Sequence, residues 1–179
     1  MIAIYLYEMP VYEVTTEEKM TDNTEETAGA SKTALIVLGC PKIPIQTSMA
    51  LYLVHRLSQA NIHTTIAGTP SARQLIRVAD PAGHYTEELI DLDACIDELA
   101  EGKRSSDSVF VYIHNDAGIS YAATIHALCS ARMYALIFGE EANQLSELIE
   151  FPCTIIADPS EHNPMKLKQK LEAELPWDA

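Results

Sequence analysis

The chain is poor in glycine and in positive charge, and each shortage removes a class of function. Only 7 of its 179 residues are glycine. None falls in a Gly-x-Gly-x-x-Gly or Gly-x-x-x-x-Gly-Lys-Ser/Thr pattern, the loops whose backbone amides approach a pyrophosphate. Ordinary dinucleotide binding and nucleotide hydrolysis are therefore disfavoured. Lys and Arg number 12 against 26 Asp and Glu, a net charge of −14 with a pI near 4.7. A surface of that sign repels polyanions, which excludes nonspecific binding to nucleic acid or to an anionic membrane face. No apolar run approaches the roughly 20 residues that cross a bilayer. The four cysteines, at positions 40, 95, 129 and 153, form no Cys-x-x-Cys pair. They are too sparse for a secreted disulfide scaffold, so reduced thiols in a cytoplasmic protein are expected.

What is present is enough apolar material for one domain: 47% of the residues are hydrophobic. Residues 1–14 are apolar but carry Glu8 and Pro10 and lack the positive start of an export signal. Residues 15–32 are polar and charged and offer nothing to bury. Residues 1–32 are therefore expected to form a disordered acidic tail holding seven acidic and two basic side chains. Met20 is a candidate translation start; otherwise the apolar piece before it docks as a strand or binds a partner. The folded domain is expected over 33–177.

From residue 33 onward, short β-branched runs alternate with stretches of helical period. Residues 34–39 (ALIVLG), 62–67 (IHTTIA), 108–113 (SVFVYI), 134–138 (YALIF) and 153–157 (CTIIA) read as strands. Between Gln46 and Gln59, the residues Met49, Ala50, Leu53, Val54 and Leu57 mark one helix face. Thr69 and Pro70 supply an N-cap and first position for a helix with Ala72, Leu75, Ile76 and Ala79 inward. Asp91 caps a helix carrying Leu92, Cys95, Ile96 and Leu99. Three further helices follow, over 117–131, near 141–149, and after Asn163-Pro164 with Leu167, Leu171 and Leu175 on one stripe. Five strand–helix alternations predict a three-layer α/β/α domain with a mostly parallel sheet of about five strands and Rossmann-like or flavodoxin-like winding.

Such a sheet holds its ligand beyond the carboxyl ends of the strands, where the winding reverses. With the first strand central, the crevice lies between residues 40–45 and 114–118. Cys40 sits at a strand tip near a helix N-terminus, whose partial positive charge favours a thiolate, and Lys42 adds to that. The structural alternative is a small buried filler. His114, Asn115 and Asp116 close the 108–113 strand. Asn115 or Asp116 is a natural N-cap whatever else it does. A metal or acid–base site would draw on Cys40, His114 and Asp116, with His84 or Glu140 added. The ligand-binding candidates are thus Cys40, Lys42, His114, Asn115 and Asp116, with Cys40 the candidate catalytic residue; no metal set and no cofactor is legible. His55 reads as solvated, His63 and His126 as core or boundary residues, and Cys95, Cys129 and Cys153 as filler.

The pieces LIVLGCP (35–41), VADP (78–81), YTEELIDLDACIDELAEG (85–102), Asn115-Asp116-Ala117 and HNP (162–164) resemble a small family of uncharacterised proteins, a domain of unknown function, from methanogenic archaea. That resemblance implies a three-layer α/β/α domain in a cytoplasmic, anaerobic setting, and it carries no activity or catalytic residues to transfer. The expected function is a small-ligand or cofactor-binding domain of methanogen metabolism. The alternatives are a non-catalytic subunit or assembly factor, with a protein partner or a second copy of the chain, and a thiol or sulfur-transfer enzyme using Cys40.

Overall fold

In the computed structural model, residues 32–175 are described. The expected acidic tail, apart from its last residue, and the Met20 start lie outside them. The described chain alternates strand and helix six times: β1 (Thr33–Leu38), α1 (Ile45–Gln59), β2 (His63–Gly68), α2 (Pro70–Ala79), β3 (Glu88–Asp91), α3 (Leu92–Ala100), β4 (Ser108–Ile113), α4 (Asp116–Leu128), β5 (Arg132–Phe138), α5 (Ala142–Glu147), β6 (Thr154–Asp158) and α6 (Met165–Glu174). All five strand pairings are parallel, in the order β3-β2-β1-β4-β5-β6. This is a three-layer α/β sheet wound outward in both directions from β1.

The sheet has six strands rather than the five expected. β3 escaped notice because it is a four-residue edge strand inside an acidic stretch, half-exposed and paired only with β2. It runs straight into α3 through Asp91, whose carboxylate accepts the N–H groups of Asp93 and Ala94. The strand ending is thus also the helix cap, with no loop to mark it.

Alternation along the strands sorts the core into two faces. Ile36, Leu38, Phe110, Tyr112, Leu136 and Phe138 pack beneath α1, α2 and α6. Leu35, Val37, Val109, Val111, Ala135 and Ile137 pack beneath α3, α4 and α5. The helix between 70 and 79 buries Ala72 and Ile76 but leaves Leu75 42% exposed and Ala79 exposed, so its apolar stripe is narrower than its composition suggests. His63 is exposed rather than a core or boundary residue: it opens β2 at the sheet's amino edge, 3.2 Å from Glu87. Cys95 is buried filler, whereas Cys129 and Cys153 are half-buried.

The connection between α2 and β3 is organised by Asp80, 7% exposed, which accepts N–H bonds from His84, Tyr85 and Thr86. Burial alone would raise its carboxyl, but the three amide donors hold it below the usual carboxylate range. His84 therefore lies at the amino edge of the strands, opposite the crevice, and leaves the set of added metal ligands.

Candidate functional site

At the carboxyl edge, β1 ends in Gly39 and turns through Cys40-Pro41-Lys42 into α1. Gly39 O accepts two side-chain donors, Gln46 Nε2 and Thr69 Oγ1, each at 3.2 Å. Gly39 is buried, yet a Cβ built there would meet no atom within 4 Å. Room therefore remains beside the tip of the central strand, at the point where the winding reverses. On the other side of that point stands Gly118, in the first turn of α4. A Cβ there would lie 3.0 Å from Ile113 Cα, so this glycine is what lets α4 settle on the end of β4. Asn115 caps the helix, its Oδ1 accepting the Gly118 N–H at 3.1 Å.

The two flanking strands of the same half complete the cleft. Gly139, with φ +98, turns the chain out of β5, and Ile43 packs across to it, 3.7 Å from where its Cβ would sit. Asp158, 3% exposed at the end of β6, accepts from Ser160 and pairs with Lys170 at 3.1 Å. Gly139 N–H in turn donates to Ser160 O. These bonds hold the segment that carries Glu161. The resulting cleft of about 130 Å³ is lined by Lys42, Ile43, His114, Gly139, Glu140, Glu141 and Glu161.

The expected site residues divide. Lys42 and His114 face one another's surroundings in the cleft. Asn115 stands behind His114, with its Nδ2 3.4 Å from His114 Nε2. Cys40 is exposed at the strand tip, not the buried filler of the structural alternative. Asp116 is exposed in the first turn of α4, the helix that covers the opposite face of the sheet from α1, and it does not line the cleft. Among the described residues no three His, Cys, Asp or Glu side chains gather as a metal site, so Cys40, His114 and Asp116 do not assemble one.

Two residues that matter were not singled out in the sequence. Gln46 is 1% exposed, and its Oε1 has no hydrogen-bond partner among the described residues. Tyr112, 1% exposed, likewise buries a hydroxyl without a partner, and burial pushes its phenol well above the usual range. His114 Nδ1 is in the same condition. Gln46 carried a signal: it lies in helical register with Met49, Ala50 and Leu53, a polar side chain on an apolar stripe. Tyr112 carried none, because nothing in an alternating strand says which phenol lacks a partner. All three lie on the α1 side of the sheet: Tyr112 belongs to that core, and the His114 ring lies over Phe138, centroids 5.6 Å apart and planes 28° from parallel. Burial, and secondarily the Lys42 ammonium, hold His114 below its ordinary value.

Larger open hollows, of about 290 and 460 Å³, lie at the amino edge of the sheet. Arg104 lines both, but its guanidinium is taken up by Glu88 and Glu98. That pairing is a structural network holding β3 and α3 to the sheet.

The order 3-2-1-4-5-6, with the winding reversing between β1 and β4, defines a Rossmann-like α/β protein. Residues 35–174 match the domain of unknown function DUF1890, and the chain belongs to that family. It is 29% identical over 140 residues to the uncharacterized protein MJ0452 of the archaeon Methanocaldococcus jannaschii, covering 77% of this chain and 93% of that one. The fold is similar to the solved structure of MT0777, with a TM-score of 0.73 and 36% identity over 79% of this chain and 95% of that one. It is also similar, at a TM-score of 0.53 and 8% identity over 82% and 91% of the two chains, to AnUbiX (PadA1) in complex with FMN and dimethylallyl pyrophosphate. That second likeness concerns the fold alone. Among the described residues no helix is long and apolar enough to cross a membrane.

Proposed function

We propose that the protein is a small-ligand-binding domain whose ligand enters the crevice between residues 39–46 and 114–118. One observation carries this reading: Gln46 Oε1, Tyr112 Oη and His114 Nδ1 are buried without partners among the described residues, all on the α1 face of the sheet, and the chain leaves open space at Gly39. Leaving a buried polar group unpaired costs about 1–3 kcal/mol. Three on the face and toward the edge where such sheets hold ligands support a site whose ligand supplies the missing bonds. The FMN complex of AnUbiX adds that a sheet of this fold hosts a small cofactor in another protein.

The test is native mass spectrometry of the protein purified anaerobically from its own organism, beside the Gly39→Val variant. A Cβ at this position meets no atom within 4 Å and the valine methyls extend into the space beyond it, so a bound small molecule is expected in the native protein and lost from the variant. A ligand-free native protein, or equal occupancy in the two, rejects the reading.

The exposure of Cys40 favours a second reading, thiol or sulfur transfer at the mouth of the crevice. Full ligand occupancy in Cys40→Ser, with no persulfide on Cys40 in the native protein, rejects that one.

A further inference from the structure

Charge is spread unevenly along this chain, and the uneven part forms a surface. Residues 27–79 contain five Lys and Arg and no Asp or Glu, although the whole chain carries −14. That stretch supplies α1 and α2, which pack against each other on one face of the sheet. Of the six large apolar side chains that stand exposed among the described residues, three belong to the same place: Leu75 at 42%, Val78 at 75% and Tyr85 at 46%. Apolar side chains gathered on a water-facing surface mark a place that another group covers.

Helical register sets these side chains along one seam. On α1, the Lys168 ammonium lies 4.8 Å over the Tyr52 ring and Arg56 pairs with Glu172 at 3.2 Å, so that flank is turned to α6. Leu51 falls on the other flank, toward α2. On α2, Arg73 pairs with Asp91 of β3, and Leu75 and Val78 fall on the flank away from it, toward α1. Asp80, at the end of α2, accepts the Tyr85 N–H, and the Tyr85 ring meets the His55 ring of α1 edge-on, centroids 5.8 Å apart. Leu51, His55, Leu75, Val78 and Tyr85 thus border the seam between the two helices. Arg77, next to Val78, is exposed and makes no ion pair among the described residues.

An occupant of this surface offers apolar side chains together with negative charge, and the chain itself contains such a segment. Residues 2–14 (IAIYLYEMPVYEV) are apolar apart from Glu8 and Glu13, and residues 1–26 carry seven acidic side chains against one basic. The attachment point suits it. Lys32 O accepts the His63 N–H at the start of β2, the strand that α2 follows, and α2 runs back to end at that same amino edge. Seventeen residues, 15–31, separate the segment from Lys32. A coil of that length spans about 20–25 Å, and a tether of that span holds its end at a roughly millimolar effective concentration. A second copy joined through the same face would instead bring two basic surfaces together. We propose that residues 2–14 dock along the α1–α2 seam of their own chain, their apolar side chains on Leu75, Val78 and Tyr85 and their carboxylates toward Arg77. This docking is independent of the crevice, which opens at the carboxyl edge.

The experiment puts the photocrosslinking residue p-benzoylphenylalanine in place of Tyr5 in the full chain. After irradiation, peptide mapping is expected to find the crosslink on residues 48–58 or 71–85 within a single chain. In hydrogen exchange, the amides of residues 2–14 are expected to exchange at least about tenfold faster in Val78→Glu than in the parent, with Arg77→Glu moving them in the same direction. The Val78 side chain buries little, so its replacement leaves the fold standing. Leu148→Glu, at an exposed apolar residue that ends α5 on the other face of the sheet, is expected to leave that exchange unchanged. A crosslink to β3, β6 or any other element, one found only in covalent dimers, exchange indifferent to Val78→Glu, or an equal change in Leu148→Glu overturns the proposal. So does a native protein whose intact mass lacks residues 1–19.

Discussion

Alanine in place of Gly118 puts a methyl group where the end of β4 already lies. The added Cβ would stand 3.0 Å from Ile113 Cα, 3.2 Å from its Cγ2 and 3.3 Å from its Cβ. Two of those three atoms are the backbone and Cβ of a buried strand, which cannot rotate away, so the first turn of α4 must lift. Overpacking of this kind costs typically 1–3 kcal/mol. The gain from replacing glycine within a helix, about 1 kcal/mol, offsets part of it. From the middle of that range the net loss expected is about 1 kcal/mol, or a Tm lower by about 2–4 °C for a domain of this size. Lifting α4 also disturbs the Asn115 cap and with it the group that orients His114. Gly39→Ala is the matched control, because its Cβ meets nothing within 4 Å. Its stability should stay within about 0.5 kcal/mol of the parent or rise slightly through a less flexible unfolded chain. Urea unfolding followed by circular dichroism measures both, with the midpoint moving and the slope unchanged. A Gly118→Ala protein as stable as the parent, or a Gly39→Ala protein that loses as much as it, would refute the account of one packed and one open glycine at the crevice.

Other outcomes follow from single groups. Tyr112→Phe removes a buried hydroxyl with no partner, so the ligand-free protein should be unchanged or more stable by about 1 kcal/mol; a loss of that size in urea unfolding would mean the hydroxyl is bonded. In an NMR titration, His114 should protonate below its ordinary value, chiefly through burial, and Lys42→Ala should move its midpoint upward. An unmoved midpoint would remove Lys42 from its surroundings. Asp80, held below the usual carboxylate range in the folded state, stabilises the protein fully above the unfolded value and loses that contribution as pH falls through the folded one. Asp80→Asn should therefore be less stable at neutral pH and show a flatter decline in acid, read from thermal unfolding between pH 7 and about 3.

The alternation of β-branched runs with helical periods was enough to place five of the six strands and every helix, because burial on both faces of a parallel sheet leaves a continuous apolar signature. Thr69, Asp91 and Asn115 were legible as caps for the same local reason: a side chain that bonds its own helix needs nothing from the rest of the chain. β3 was not, since a short edge strand buries too little to leave a pattern. Topology pointed to the carboxyl edge beside β1 and β4, where Lys42 and His114 line one cleft. Gln46 showed only as a polar interruption of an apolar stripe.

Composition and periodicity thus determined an acidic, cysteine-poor chain with an α/β domain wound about its first strand, and the two loops that follow β1 and β4 at the winding reversal. Those are properties of short segments, fixed by what each must bury. Tertiary structure alone decided that Asp116 is exposed and does not line the cleft, that His84 lies at the far edge, that Gly39 borders space while Gly118 borders Ile113, and that Gln46, Tyr112 and His114 each bury a polar atom without a partner among the described residues. Each of these depends on which atoms from distant strands come within a few ångströms of one another, and no segment of the chain carries that information by itself.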